Sequence, residues 1–316
     1  MRTSLLCLIP LAALYGCGGG SSDSAAASTV TVVVPALTPQ FQFTTESDVV
    51  YGQGEIGTGG YKDLLLDLYV PAELTDTTAR QLPLMLMIHG GGLTGGSKSN
   101  ANIVAAAEQY AARGWLVASM TYRLQSDDPV PSSQVQPLYD AIGGSSASLL
   151  NRSIVAAVDD VLMALGFLEA RGDVYMPWAS VWGFSAGANI ALISGYSLDD
   201  FGMQPLGLAA VIEIAGSIKG AYIGTPFDAP AGADPVLMIV HGTDDQSSPF
   251  SNATDIRALA AAAALPHDFQ AVDGAGHVFD LTDTYATGGE TLVQRSVDYL
   301  HETVFAGQAP GPLVIR

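Results

Sequence analysis

Residues 181–187 read Val181-Trp182-Gly183-Phe184-Ser185-Ala186-Gly187. A β-type run leads into this Gly-x-Ser-x-Gly pattern, and a helical run to about residue 197 leads out of it. The combination predicts a sharp strand-to-helix turn that lifts one hydroxyl clear of a sheet, with glycines flanking the serine where a side chain would clash with the turn. With 35 glycines in 316 residues such a match arises easily by chance. Its reading therefore depends on what stands at the other strand ends.

Working outward, Leu84-Met85-Leu86-Met87-Ile88 is a continuous apolar run, the pattern of a parallel strand buried on both faces. Further strands are expected at Trp115 to Met120, Ala179 to Trp182, Leu208 to Ile214, Val236 to Val240 and Phe269 to Val272. Helices are expected at about 103–113, 151–171, 185–197, 250–265 and 289–305. This alternation predicts an α/β fold, a mostly parallel central sheet with helices on both faces. Before it, two β-type runs from Val49 to Pro71, with glycines between them, predict an antiparallel hairpin at the N-terminal edge. In such sheets the chemistry lies beyond the carboxyl ends of the strands.

Those ends carry a set. Leu84–Ile88 runs into His89-Gly90-Gly91-Gly92, where Gly91 and Gly92 lack side chains and can bring N–H groups close to a substrate oxygen; Ala186, at a helix N-terminus, supplies another. Val236–Val240 runs into His241-Gly242-Thr243-Asp244-Asp245, which offers two candidate acids, Asp244 and Asp245. Of the five histidines, only His277 follows the last of these strands in a Gly-rich turn, Gly274-Ala275-Gly276-His277. Acyl transfer needs a nucleophile, a base, an acid that orients the base and fixed donors for the oxyanion. Ser185, His277, one of the two aspartates and the three N–H groups would supply them. The chain order Ser, Asp, His is that of α/β-hydrolases.

Hydrophobic residues make up 48% of the chain and charged residues 14%, a composition that excludes disorder and favours one large buried sheet. The formal charge of −19 repels phosphate backbones and excludes nucleic acid as a partner. The aspartate pairs at 127 and 128 and at 280 and 283 lack a ligand pattern, so neither a metal nor another cofactor is expected. Met1-Arg2-Thr3-Ser4, an apolar run to Tyr15 and Gly16-Cys17 predict a signal peptide over 1–16 with Cys17 as a lipidated N-terminus, and hence export to the bacterial cell envelope or secretion. The apolar run is too short to span a bilayer, so membrane contact is expected only through that lipid. Residues 17–45 read as a flexible tether and 46–316 as the catalytic domain, within which the loop-like 124–150 is expected to cover the site in part.

From about Val49 onward the chain resembles the bacterial α/β-hydrolase carboxylesterases, near the hormone-sensitive-lipase-like and the feruloyl- or acetyl-xylan-esterase-like groups. The resemblance rests on Leu66-Asp67-Leu68-Tyr69-Val70-Pro71, His89-Gly90-Gly91-Gly92, Ser119-Met120-Thr121-Tyr122-Arg123-Leu124, Gly183-Phe184-Ser185-Ala186-Gly187, His241-Gly242-Thr243-Asp244-Asp245 and Gly276-His277. It implies that Asp245 is the acid, that Gly91, Gly92 and Ala186 form the oxyanion hole, and that the substrate is a small or polymer-linked ester. Leu93, where many relatives carry a bulky aromatic, is then expected at the substrate. A peptidase on the same fold, or an inactive fold used for binding, are the alternatives.

Overall fold

The computed structural model describes residues 29–315, apart from 75–79, 221, 229–232 and 286–288. The expected signal peptide and Cys17 lie outside the described residues. No helix among the described residues is long and apolar enough to cross a membrane.

The strands are β1 (Val30–Val34), β2 (Phe43–Ile56), β3 (Gly60–Pro71), β4 (Arg80–Ile88), β5 (Leu116–Met120), β6 (Val174–Phe184), β7 (Ala210–Ile214), β8 (Val236–Gly242), β9 (His267–Val272) and β10 (Gly311–Ile315). The helices are α1 (Ala101–Ala111), α2 (Gln136–Ala141), α3 (Leu149–Ala170), α4 (Ala186–Tyr196), α5 (Ser251–Ala262) and α6 (Leu292–Thr303). The central order is β2-β3-β5-β4-β6-β7-β8-β9, with β2 and β3 antiparallel at one edge and β5 through β9 running parallel.

The apolar run of β4 has the physical basis expected of it. Leu84, Leu86 and Ile88 pack into the core under α3, α4 and α5, whereas Met85 and Met87 enter the opposite core under α1 and α6. A strand covered on both faces has no polar side to alternate. The chain passes from β4 outward to β5 and then returns to the other side of β4 as β6, so the order reverses there and a crevice opens above the carboxyl ends of β4 and β6.

The tether expected over 17–45 is corrected in its second half. Val30–Val34 is a strand, antiparallel to β10 and parallel to the start of β4, and Val32, Val33 and Val34 are buried. Four valines and a threonine in five residues pack well on a pleated surface, and that preference outweighs the linker-like Ala, Ser and Pro around them. The edge hairpin begins at Phe43, earlier than its apolar pattern suggests.

Candidate active site

Ser185 sits between β6 and α4 with φ 54° and ψ −118°, a left-handed conformation that costs a non-glycine residue about 1–3 kcal/mol. The turn is held by the Ser185 N–H, which donates to the Ile214 carbonyl at 2.8 Å. Its glycines are required by close approach. A Cβ on Gly187 would lie 2.2 Å from the Ile88 carbonyl oxygen, and one on Gly183 would lie 2.3 Å from that of Gly187.

His277 reaches back from the loop after β9. Its Nδ1 lies 2.7 Å from Asp245 Oδ2 and its Nε2 lies 2.9 Å from Ser185 Oγ. A carboxylate can only accept, so Nδ1 carries the proton and Nε2 is left as the acceptor for the serine hydroxyl. Phe184 packs its ring against the imidazole, centroids 5.3 Å apart. Two loops are laced together to hold this geometry: the Asp244 N–H donates to Ala275 O at 2.9 Å, Thr243 N–H to Val272 O at 3.0 Å, and Gly274 N–H to Thr243 Oγ1 at 2.8 Å.

The two candidate acids separate cleanly. Asp244 is exposed, whereas Asp245 is buried with its Oδ1 accepting from the Ser247 and Ser248 N–H groups, both at 2.8 Å. Burial works against ionisation of Asp245. The hydrogen bonds from His277, Ser248 and Ser247 outweigh it and hold the carboxyl below the usual range.

Gly91, Gly92, Leu93 and Ala186 all line the cavity that contains Ser185. Gly91 and Gly92 have φ 112° and 62°, and neither N–H donates to another backbone group among the described residues. The loop is braced from below. The Leu93 carbonyl accepts from the Gln125 N–H at 2.8 Å, and His89, stacked on Tyr122 at 4.3 Å, aligns its Nδ1 with the Gly90 carbonyl at 2.7 Å. Leu93 is 3% exposed with φ 61°, so it forms a wall of the cavity. Leu150, Ile154, Asn189, Tyr222 and Val278 are among the residues that also line it, around about 610 Å³. A smaller cavity of about 150 Å³ lies behind Phe184, among Ile103, Trp182, Phe279 and Leu281.

Segment 124–150 is a run of single turns and α2 that leads into α3, and of its residues only Leu150, at the start of α3, lines the site cavity. No cluster of possible metal ligands occurs among the described residues.

Two buried polar residues escaped the sequence. His241 is fully buried with Nε2 3.2 Å from Asp245 Oδ2. Glu213 lies fully buried on β7 with its Oε2 accepting from the Gly216 N–H at 2.9 Å. A lone carboxylate inside an apolar run was the one signal available for it.

Comparison with known proteins agrees with this architecture. Residues 66–143 match the BD-FAE family model, a span from β3 through the Gly91–Gly92 loop to just past α2. No curated protein matches in sequence. Among solved structures, a truncated carbohydrate esterase from gut microbiota superimposes with a TM-score of 0.55 at 16% identity, covering 86% of this chain and 100% of the other. MGS-M1, an α/β-hydrolase enzyme from a Medee basin deep-sea metagenome library, gives 0.54 at 18% identity over 84% of this chain and 99% of its own. The fold is that of the α/β-hydrolases. Thermogutta terrifontis esterase 2, in a form phosphonylated by cyclosarin, has the same hydrolase fold, with a TM-score of 0.57 at 20% identity over 86% of this chain and 97% of that one.

Proposed function

We propose that the chain is a serine hydrolase of carboxylic esters, acting through Ser185, His277 and Asp245. The observation that carries the reading is the continuous line from Asp245 Oδ2 through the His277 ring to Ser185 Oγ, at 2.7 and 2.9 Å. His277 Nε2 takes the hydroxyl proton as Ser185 Oγ attacks the ester carbonyl. Asp245 keeps the ring in the tautomer that leaves Nε2 free and stabilises the cation that forms. The N–H groups of Gly91, Gly92 and Ala186 receive the oxyanion. The imidazolium then protonates the departing alcohol, and water, deprotonated by the same Nε2, releases the acid from the acyl-enzyme.

Short-chain, aryl or carbohydrate-linked esters, and polyesters, are the substrate classes the reading covers. The BD-FAE match and the two esterases among the similar structures support ester over amide. The cavity beside Ser185 is wide enough for a bulky ester.

The test is hydrolysis of p-nitrophenyl esters of graded acyl length. Ser185→Ala should lower kcat by roughly a million-fold. Asp245→Asn should lower it by about 10⁴-fold while Asp244→Asn stays near wild type, because only the former leaves the wrong tautomer at His277. A folded Ser185→Ala protein with wild-type turnover would sink the reading.

A further inference from the structure

Asp245 has a second imidazole beside it. His241 is the penultimate residue of β8, four residues before the acid, and is 0% exposed. Its Nε2 lies 2.7 Å from the Ser248 carbonyl oxygen, which can only accept, so Nε2 carries a proton and donates it there. The same nitrogen stands 3.2 Å from Asp245 Oδ2, the oxygen that receives His277 Nδ1–H. Ser248 in turn donates its N–H to Asp245 Oδ1 at 2.8 Å.

Resting on the reading of Asp245 as the acid, we propose that His241 is a positioning residue for that carboxylate. It clamps the carbonyl of Ser248, so that the turn carrying the Ser247 and Ser248 amides stays aimed at Oδ1, and it places the positive end of an N–H dipole next to Oδ2. The two carboxylate oxygens are thereby fixed from opposite sides, and the plane of Asp245 is set for His277.

Chemistry argues against a filler role. A buried imidazole is expensive unless its polar atoms are used, and the other ring nitrogen, Nδ1, has no hydrogen-bond partner among the described residues. The ring is retained at that cost for the one N–H, which is directed at the Ser248 carbonyl and lies beside Asp245 Oδ2. Phe250 packs edge-on against the ring, centroids 6.0 Å apart. The acid's turn is tied to its surroundings a second time through Ser248, whose hydroxyl donates to the Gly216 carbonyl at 3.1 Å and accepts from Asn252 Nδ2 at 3.0 Å.

The experiment uses the full-length protein and three variants. His241→Met keeps the volume and removes the donor, His241→Gln returns an amide N–H near the Nε2 position, and His241→Asn is polar but too short to reach Ser248. Two quantities are read: kcat and KM on a p-nitrophenyl ester, and the downfield proton resonance of His277 Nδ1–H in the resting protein. The Met and Asn variants should lose about 10-fold in kcat with KM within twofold, far short of the roughly 10⁴-fold expected on removing the acid. Their resonance should move upfield and exchange faster, and the Gln variant should restore both readings. A folded His241→Met protein with wild-type kcat and an unmoved resonance overturns the proposal. So does a Gln variant as impaired as Met, which marks a packing role only. Should the Met variant fail to fold, His241→Asn carries the same expectations. If the wild-type protein hydrolyses no ester, the esterase reading fails, and the resonance, recorded without substrate, decides the role of His241 alone.

Discussion

Glu213 shows what one buried group does to the pH response of the whole chain. Burial pushes its carboxyl from 4.5 up to about 8, and the Gly216 N–H offsets only part of that shift. In the unfolded chain the group ionises near 4.5, so between that value and about 8 the fold holds a proton that the unfolded chain has released. The contribution to stability is complete below pH 4.5 and is lost as pH rises toward 8. Glu213→Gln is neutral throughout. It should match wild type at pH 4.5 and exceed it at pH 8.5 by about 4 kcal/mol, or roughly 7 °C in Tm. Thermal unfolding across that range checks this, and parallel curves for the two proteins would refute it. The same scale sets what could be read from residues alone. Ser185, His277 and the Gly91–Gly92 pair were legible because each stands at a strand end in a glycine pattern that has few structural uses. Asp244 and Asp245 were not separable from their own residues, since neighbours in a turn point opposite ways and only the backbone decides which faces His277. His241 was hidden for a related reason: its partner lies in its own loop, so its position resembled that of a residue shaping the turn.

At the scale of elements, Arg123 is the pin between the sheet and the segment after β5. It is 1% exposed, pairs with Asp160 and Asp159, and donates to the carbonyls of Glu55, Val130 and Ala156. Asp159 also accepts from Ser132 N–H and Oγ–H at 2.9 and 2.7 Å, so α3 and residues 130–132 hang on one cluster. Removing the cation leaves two buried carboxylates without compensation. Arg123→Met should therefore cost about 3–5 kcal/mol. Hydrogen exchange should quicken first at residues 128–135, while retained protection there would show that the segment is held by Val135 and Leu138 instead. The strands and helices around this pin were legible because each buries a continuous or periodic apolar run. The turns of 124–150 were not, because their shape is set by Arg123 and Asp159, which meet 36 residues apart in sequence.

Across the whole molecule, the feature with least local signal is the pairing of the two ends of the described chain. Val30 to Val34 match Ile315 to Gly311 in antiparallel register, a contact between segments nearly a chain length apart. Neither strand carries a turn or partner nearby in sequence to announce it, which explains why a tether was expected where β1 lies. The same placement predicts what its loss does. β1 joins β4 at Thr31–Arg80 and Val32–Gln81, the start of that strand, whereas the site begins beyond Ile88 at its other end. At about 3.3 Å per residue the two are roughly 25 Å apart. Deleting residues 307–316 removes β10, uncovers the edge of β1 and leaves β4, β6, β8 and β9 paired as before. The truncated protein should lose about 2 kcal/mol, roughly 4 °C in Tm, and should self-associate more readily through the open edge. Its kcat/KM should stay within twofold of wild type, because no element holding Ser185, Asp245 or His277 has lost a neighbour. Thermal unfolding and ester hydrolysis on the same sample separate the outcomes: a fall in turnover with Tm unchanged would mean that the terminal strands act on the site directly and that the distance along β4 does not insulate it.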